Sequence, residues 1–258
     1  MKMISSRENA LFKDLKHLAG SAQARRKAGR TLLDGVHLCQ TYLQLGGAPH
    51  ACIVSETALS KLEVAAICAA QPGNCIVLPD VLYGALSQVE HGVGVLFVIE
   101  TPQPVLPPAL SASAVLLDNL QDPGNVGSIL RSAAAAGIKQ VYCSSGTALC
   151  WSPKVLRAAM GAHFVLDIFE DVDLHALICD SSIAVLATSG YAKLRLYDID
   201  LRRPVAWLLG HEGQGVADDL LALATHQVVI PHLGQVESLN VAACAAVCFF
   251  EQLRQNQV

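Results

Sequence analysis

The chain has 258 residues, of which 52% are hydrophobic and 16% are charged, and this composition excludes an intrinsically disordered protein. The formal net charge of the whole chain is −4, which argues weakly against a nucleic-acid partner until the distribution of charge along the chain is considered. The sequence contains no apolar run of roughly 18 residues, the length that spans a membrane, and its polar N-terminus is neither a secretory signal nor an anchor. We therefore expect a cytoplasmic globular protein without a membrane partner.

Positive charge is concentrated in residues 1–30, which contain eight Lys and Arg side chains and two acids, a local net charge of +6. Phosphate contacts dominate the affinity of proteins for nucleic acids, so one interpretation is an electrostatic arm for a polyanion. A solvated helical face would show the same composition. On the first interpretation, the candidate nucleic-acid-binding side chains are Arg7, Arg25, Arg26, Lys27 and Arg30.

Residues 1–100 show the alternation of a small α/β module. Apolar runs that predict strands alternate with helical patterns near residues 34–45, 58–70 and 80–87. The predicted strands are Ala51–Val54, Cys75–Leu78 and Gly94–Ile99. Four prolines then occur between Glu100 and Ser113 and stop both helix and strand, which predicts an extended linker over residues 101–113.

Residues 114–258 repeat this alternation with longer elements. Helices are predicted between the strands, and a final helix is predicted to begin at Ser238. This order is typical of an α/β domain with a mostly parallel sheet, covered by helices on both faces. The predicted strands are Ala114–Asp118, Gln140–Cys143, Phe164–Ile168, Ile183–Thr188, Val205–Gly210 and Gln227–Pro231.

Three segments follow predicted strands and are rich in glycine and polar side chains. Ligands bind beyond the carboxyl ends of the strands in such sheets, so these segments are the candidate site. In the first segment, Asp122 and Pro123 are typical of a turn and asparagine is typical of a helix N-cap, and Arg131 is the sole charge in the helix that follows. The segments are LDNLQDPGNVGSILRSAAAAG from Leu117, LLGHEGQGV from Leu208 and IPHLGQVESLN from Ile230.

The third segment ends in two polar residues at the start of an apolar helix. Ser238 stands where the N-cap is expected, and a cap contributes about 1 kcal/mol, which is a sufficient structural reason for it. Asn240 is predicted to lie too deep for a cap, and asparagine is a poor residue for a helix interior. We therefore expect Asn240 to have a functional role.

The residue spacings in the sequence do not match several known motifs for nucleotide cofactors, hydrolase nucleophiles and metals. A Gly-Gln-Gly sequence at residues 213–215 follows a predicted strand, but Asp218 replaces the third glycine of the dinucleotide-binding fingerprint. The sequence has no Walker phosphate loop and no G-x-S-x-G elbow. The histidines near the loops, His211, His226 and His232, match no zinc template, and the nine cysteines form no CxxC pair. We expect no metal.

The segments NVGSILRSA, LLGHEGQGV and IPHLGQVESLNVA occur in that order within residues 115–255. Together they resemble the three signature motifs of the SpoU/TrmH family of AdoMet-dependent RNA ribose 2′-O-methyltransferases. The stretch SPKVLRAAMGAHF is similar to the family's intermediate region, and LLDGVHLCQTYL resembles the RNA substrate-binding domain that some members carry. The chain departs from the family at His211, where members commonly have Asn, and at His232, where they have a methionine-like residue.

The resemblance implies a fold and a cofactor. It implies that the sheet ends in a C-terminal trefoil knot, as in SPOUT methyltransferases, and that the knotted domain forms a homodimer. The loops after the last strands would hold S-adenosyl-L-methionine (AdoMet), largely through backbone groups. By position, these contacts fall on Thr188, Gly210, Ile230 and Leu239.

The resemblance also implies the chemistry. AdoMet carries an electrophilic methyl group, so the protein mainly aligns a ribose 2′-oxygen and assists the loss of its proton. Arg131 matches the arginine that the family uses as a base or a phosphate anchor, and we favour the anchor because guanidinium stays protonated. Glu212 is expected to orient Arg131 or a substrate base, or else to pair structurally with a basic neighbour. Asn125 is expected to fix the first loop and the arginine, and Ser238 and Asn240 complete the predicted catalytic set.

The predicted function is methyl transfer from AdoMet to a ribose 2′-hydroxyl of tRNA or rRNA. Residues 114–258 would form the catalytic domain and residues 1–100 the RNA substrate-binding domain. Two alternatives remain open. A non-catalytic RNA-binding module would use the basic segment without AdoMet, and an oxidoreductase with a nucleotide cofactor would need the fingerprint that Asp218 interrupts.

Overall fold

The structure, a computed structural model, describes residues 1–89, 92–235 and 238–257. The chain divides into two compact units. Unit 1 contains Met1–Pro102 and Trp151–Phe164, and unit 2 contains Gln103–Cys150 and Val165–Val258. The first boundary, after Pro102, lies in the predicted linker. The predicted domain over residues 114–258 differs from this division in residues 151–164, which belong to unit 1.

The secondary structure alternates along most of the chain. Across the described residues, no helix combines the length and the apolar character that crossing a bilayer requires. The strands are β1 (Lys2–Met3), β2 (Arg30–Asp34), β3 (Ala51–Ser55), β4 (Cys75–Leu78), β5 (Val95–Glu100), β6 (Ala114–Leu117), β7 (Gln140–Cys143), β8 (Asp167–Phe169), β9 (Ala184–Thr188), β10 (Leu194–Arg195), β11 (Val205–Leu209) and β12 (His226–Val229). The helices are α1 (Ala10–Gly20), α2 (Ala22–Ala28), α3 (Val36–Gln44), α4 (Leu62–Ala69), α5 (Asp80–Gly84), α6 (Pro123–Ala135), α7 (Pro153–Ala159), α8 (Leu174–Cys179), α9 (Asp218–Leu223) and α10 (Val241–Asn256).

Unit 1 is built on a five-stranded mixed sheet in the order β1-β4-β3-β5-β2. β1, β4 and β3 are parallel, whereas β5 is antiparallel to both β3 and β2. The predicted strands of this module are confirmed as β3, β4 and β5. The sequence pattern predicts neither β1, which has only two residues, nor β2, whose apolar residues Leu32 and Leu33 are too few to form an apolar run. β2 is a strand because every one of its residues pairs with β5.

The basic N-terminal segment folds into α1 and α2. Asn9 is the N-cap of α1, and its Oδ1 accepts a hydrogen bond from the backbone N–H of Leu11 at 3.0 Å. Phe12, Leu15 and Leu18 form the buried face of α1 at the spacing of an amphipathic helix. α2 follows directly and buries no residue. Two of its basic side chains, Arg26 and Lys27, are exposed.

Residues 151–164 belong to unit 1 through contacts that no local pattern reveals. The buried Thr31 of β2 donates a hydrogen bond from Oγ1 to the carbonyl of Trp151 at 2.8 Å. The rings of Tyr42 and Phe164 pack with their centroids 5.2 Å apart. The stretch that resembles the family's intermediate region therefore packs with the N-terminal residues, although its neighbours in the sequence belong to unit 2.

Unit 2 is built on a seven-stranded sheet in the order β10-β12-β9-β11-β6-β7-β8, and every strand pair in it is parallel. This confirms the predicted α/β class with a mostly parallel sheet. β6 and β11 are buried at every residue, as expected of strands covered on both faces. β8 begins later than predicted because Ala162–Val165 form a 3-10 helix. The trefoil knot stays a prediction.

A buried hydrogen-bond network ties α10 to the sheet of unit 2. The indole Nε1 of Trp207 on β11 donates to Gln252 Oε1 at 2.8 Å, and Gln252 Nε2 donates to Ser113 Oγ at 2.9 Å. Trp207 is fully buried and Gln252 is 7% exposed. A buried N–H without a hydrogen-bond partner costs free energy, so the Gln252 side chain must stay where it accepts from Trp207. It thereby holds α10 against β11 and holds Ser113, at the end of the Pro-rich segment, against α10.

We expect Gln252→Ala to lower the free energy of unfolding by about 1–3 kcal/mol, because the indole N–H of Trp207 loses its acceptor. Urea denaturation at neutral pH measures this change. The matched control is Gln257→Ala at the exposed end of the same helix, which should change the free energy by less than about 0.5 kcal/mol. Equal effects of the two substitutions would contradict the role of the network.

Candidate active site

The carboxyl ends of four neighbouring parallel strands, β12, β9, β11 and β6, form one edge of the sheet in unit 2. Thr188 ends β9, Gly210 follows β11 and Ile230 follows β12. Thr188 pairs with Val228, and β9 also pairs in parallel with β11, so these strands end side by side. Three of the predicted cofactor-binding residues are therefore neighbours at this edge. Leu239, the fourth, lies one residue before the cap of α10.

The loop after β11, residues 210–217, folds back on itself. A Cβ added to Gly210 would overlap the backbone of Gly215 and Val216, so only glycine fits at this position. Gly215 has a φ of +77° and donates its N–H to the carbonyl of His211 at 2.8 Å. The closure of the loop is thus a sufficient structural reason for glycine at position 210.

Asp118 anchors the far end of this loop, and the sequence analysis does not place it in the site. Its Oδ2 accepts a hydrogen bond from the N–H of Ala217 at 2.9 Å, and its own N–H donates to the carbonyl of Leu209 at 2.8 Å. The residue is only 9% exposed. The available signal is its position directly after β6, where an acid ends a wholly apolar strand.

His211 holds the near end of the loop through its side chain. Its Nδ1 accepts hydrogen bonds from the backbone N–H of Gly213 at 3.0 Å and of Gln214 at 3.2 Å. A backbone N–H can only donate, so Nδ1 carries no proton and the neutral ring carries its proton on Nε2. The loop is therefore fixed at one end by His211 and at the other by Asp118.

Glu212 connects this loop to the segment before α6. Its Oε1 accepts hydrogen bonds from the N–H of Asp122 and from Asn125 Nδ2, both at 3.1 Å, and its Oε2 accepts from the N–H of Gln121 at 3.4 Å. Partial burial raises the pKa of this carboxyl, but the hydrogen bonds from Asn125 and the backbone outweigh it and lower the pKa overall. The carboxylate is exposed and bonds to Asn125 and the backbone, so the expectation that it orients Arg131 is not met among the described residues.

Asn125 and Asn240 join the first and third motif segments. Asn240 Nδ2 donates to Asn125 Oδ1 at 2.9 Å, and Asn240 Oδ1 accepts from the backbone N–H of Ala242 at 2.9 Å and of Ala243 at 3.3 Å. Asn240 is thus the N-cap of α10. The predictions that Ser238 is the cap and that Asn240 lies inside the helix are wrong. The chain stays non-helical through Asn240, and Ser238 is exposed.

Asp122 has a structural role, as predicted, but it is the helix cap itself, and the predicted asparagine cap is wrong. Asp122 is the N-cap of α6, and its Oδ1 accepts a hydrogen bond from the N–H of Asn125 at 2.7 Å. Pro123 is the first residue of the helix, where a missing N–H costs nothing. The cap therefore fixes the start of α6, from which the Asn125 side chain reaches Glu212 and Asn240.

Arg131 lies on α6, is exposed, and makes no hydrogen bond or ion pair with any residue that the structure describes. It follows Asn125 by six residues, which places it about a third of a turn away around the helix. Asn125 therefore fixes the loop, as expected, but does not hold the arginine. The guanidinium remains available to a ligand.

Within residues 1–89, 92–235 and 238–257, three potential metal-ligand atoms come within 4.8 Å of one another only at Cys52, Cys68 and Cys75, all buried in unit 1. Burial and the neighbouring thiol of Cys75 raise the pKa of Cys68 to about 11. Cys75 Sγ donates to the carbonyls of Cys68 and Gln71, each at 3.5 Å. These contacts describe protonated thiols packed as core side chains. That the protein binds no metal stays a prediction.

The candidate RNA-binding residues of unit 1 do not share one environment. Arg25 is half-buried, and its Nη1 donates to the carbonyls of Leu18 at 2.8 Å and Ala19 at 3.4 Å, which satisfies the end of α1. Arg30 begins β2 opposite Glu100, and it too is half-buried. The exposed members of the set are Arg7, Arg26 and Lys27.

The family model described as the SpoU rRNA Methylase family matches residues 112–250. An uncharacterized tRNA/rRNA methyltransferase of Synechocystis sp. is 33% identical over 257 residues, which cover 98% of this chain and 93% of that protein. The 23S rRNA (guanosine(2553)-2′-O)-methyltransferase RlmP of Bacillus subtilis is 31% identical, over 97% of this chain and 98% of that protein.

The fold matches solved structures over nearly its whole length. The crystal structure of an AdoMet-bound rRNA methyltransferase from Sinorhizobium meliloti superposes with a TM-score of 0.83 at 25% identity, covering 98% of this chain and 97% of that one. The family match spans the edge of the sheet at which Asn125, Glu212 and Asn240 meet. We conclude that the chain belongs to the SpoU rRNA methylase family.

Proposed function

We propose that the protein transfers a methyl group from AdoMet to a ribose 2′-hydroxyl of rRNA or tRNA. The observation that carries this proposal is the hydrogen-bonded path Glu212–Asn125–Asn240, because it joins the three motif segments at one edge of the sheet. The named relatives support it, since they are methyltransferases of rRNA or tRNA. The direct test is transfer of a labelled methyl group from AdoMet to bulk RNA, with the modified nucleotide identified by its resistance to alkaline cleavage.

The residues at the strand ends fit AdoMet. Thr188, Ile230 and Leu239 are half-buried, so they offer a partly apolar surface with one hydroxyl to a purine and an aliphatic chain. Gly210 allows the loop that follows β11 to close at the same edge of the sheet. When bound, AdoMet supplies an activated methyl group. We infer that these four residues hold the cofactor.

Arg131 is proposed as the residue that contacts the reacting ribose and its phosphate. Guanidinium stays protonated in proteins, so Arg131 does not serve as the base. Its planar donors can address a phosphate and a hydroxyl together, and its charge stabilises the negative charge that develops on the 2′-oxygen. Asn125, Glu212 and Asn240 are proposed to position the loops around this group, and Ser238, exposed beside them, to line the substrate side of the site.

Two further proposals follow from family membership. Unit 1 is proposed to bind the RNA substrate, through the exposed basic side chains of its first two helices. The C-terminal part is proposed to form a homodimer, which the exposure of Tyr191, Leu233 and Phe250 in unit 2 supports, since large apolar side chains are costly in water. Sedimentation equilibrium measures the mass of the protein in solution and so tests the homodimer. The cytoplasmic location stays a prediction.

Calorimetric titration separates the alternatives. Methyl transfer requires AdoMet binding, a non-catalytic RNA-binding module binds RNA alone, and an oxidoreductase binds a nicotinamide or flavin nucleotide. The last alternative has no support in the structure, because Asp218 begins α9 where the fingerprint requires glycine.

We expect Arg131→Ala to lower the single-turnover methylation rate by about 100-fold or more, the scale of losing a preorganised donor. AdoMet affinity and stability should not change, because the side chain is exposed and makes no hydrogen bond or ion pair with a described residue. Arg131→Lys should recover only a small part of the rate, since it keeps the charge and loses the planar fork. The control is Arg203→Ala, also exposed but before β11, at the opposite end of the strand. Near-wild-type turnover in Arg131→Ala would refute the role.

We expect Gly210→Ala to abolish AdoMet binding, because its Cβ overlaps the backbone that closes the loop. Gly213→Ala is the matched control in the same loop, since its Cβ would make only ordinary contacts of 3.7 Å with the His211 ring. Titration calorimetry should show a Kd within about threefold of wild type for the control. If both variants bind equally well, the closed loop is not the cofactor site.

We expect Arg26→Gln combined with Lys27→Gln to weaken RNA binding and to flatten its salt dependence by about one unit of slope for each phosphate that the protein no longer neutralises. Filter binding at several salt concentrations measures both. The charge-matched control, Lys139→Gln with Arg203→Gln, removes two exposed charges from unit 2. Arg25→Gln should instead lower the melting temperature, because Arg25 caps α1. An unchanged slope in the first variant would assign the cluster to a solvated face.

A further inference from the structure

The His211 side chain has a geometry that depends on its protonation state. Its Nδ1 accepts two hydrogen bonds, from Gly213 N at 3.0 Å and from Gln214 N at 3.2 Å. Only a ring without a proton on Nδ1 can do this. The carbonyl of the same residue accepts from Gly215 N at 2.8 Å, so three consecutive N–H groups of the loop bond to one residue.

The loop that His211 organises carries Glu212. Glu212 follows His211 directly, and its carboxylate binds the start of α6 through Asn125 and two backbone N–H groups. The direction of the Glu212 side chain depends on the turn of residues 211–215. Asp118 fixes the other end of the loop through the N–H of Ala217, so a change at His211 acts mainly on the part that holds Glu212.

We propose that His211 is a positioning residue of the methyl-transfer reaction, whose neutral imidazole holds the Glu212 loop in its active arrangement and whose protonation releases it. The role in catalysis rests on the proposed function, whereas the coupling between the ring and the loop does not. The rate of methyl transfer should therefore fall at acid pH because His211 is protonated, and not because acid affects the ribose hydroxyl.

The direction of the pH dependence follows from the hydrogen bonds. A proton on Nδ1 turns the acceptor into a donor and faces it toward two other donors, so both bonds are broken together. The ordered loop requires the neutral ring, and therefore the order is present at high pH and disappears as the pH falls.

The charged groups near the loop are nearly all acids. Two further imidazoles, those of His226 and His232, lie on β12 and in the segment after it, so the pH dependence between about pH 5.5 and 8 is assigned to His211 by comparison with His211→Asn, which keeps both of them. The hydrogen bonds that lower the pKa of Glu212 keep it ionised throughout this range. The groups on the loop and on the segments packed against it are Glu212, Asp118, Asp122, Asp218 and Asp219, together with Arg131 on α6.

Asparagine provides the matched substitution. Its Oδ1 occupies the same position along the side chain as Nδ1 of histidine, so it can accept from the same two N–H groups, and it does not titrate. His211→Asn should therefore keep the loop and lose its acid sensitivity. His211→Ala removes the acceptor at every pH. His175→Asn, on the exposed face of α8, controls for replacing a histidine elsewhere in unit 2.

The first measurement is the structural one and needs no substrate. Amide hydrogen exchange of Gly213 and Gln214, followed by NMR between pH 8 and 5.5, should show protection that falls in the wild type as the acid limb is reached. After correction for intrinsic exchange, the protection should stay constant in His211→Asn and be absent in His211→Ala. Equal pH dependence in wild type and His211→Asn would overturn the coupling, whatever the protein catalyses.

The second measurement is the ratio of kcat for His211→Asn to kcat for wild type across the same pH range. Acid effects on the ribose or on RNA divide out of this ratio. We expect it to be near one at pH 8 and to rise about threefold or more at pH 5.5, because protonation releases the loop in the wild type and not in His211→Asn. His175→Asn should give a flat ratio. A flat ratio for His211→Asn, or wild-type activity in His211→Ala, would refute the positioning role, while no methylation by any variant would refute the proposed function instead.

Discussion

The hydrogen bond between Asn125 and Asn240 joins two residues that lie 115 positions apart in the chain. It is possible only because β6 and β12 are parallel strands of one sheet, so that the segments following them emerge at the same edge. Asn125 also donates to Glu212, which brings the segment after β11 into the same path. Each bond is worth only about 1 kcal/mol, but together they fix the relative positions of three loops.

Residues on this path and beside it also mark the start of two helices. Asp122 caps α6 and Asn240 caps α10, so the two helices begin where the loops meet. An amide side chain suits this double role, because its oxygen satisfies the helix N-terminus while its nitrogen remains free to donate. A serine at the cap position would satisfy the helix equally well and leave nothing to reach Asn125. The identity of the cap is therefore explained by the site and not by the helix alone.

The loop after β11 is rich in glycine, yet hydrogen bonds at both of its ends hold its backbone in one conformation. Gly210 permits the backbone to return on itself, Asp118 closes one end and His211 closes the other. Arg131 stands apart from this framework and bonds to none of the described residues, which suits a group that binds a substrate carrying its own negative charge. Fixed loops suit the positioning of reactants, and a cation that is not already paired suits the stabilisation of developing negative charge.

The sequence by itself determined the α/β class, most strands and the positions of the three motif segments, because these follow from local patterns of apolar residues and turns. It also predicted a functional role for Asn125, Glu212 and Asn240, which the structure joins by hydrogen bonds. Only the tertiary structure decided how they act. The start of α10 depends on the bond from Asn240 to Asn125, the short strand β2 depends on its pairing with β5, and residues 151–164 depend on contacts with Thr31 and Tyr42. Contacts of this kind join residues far apart in the chain, and local propensities carry no information about them.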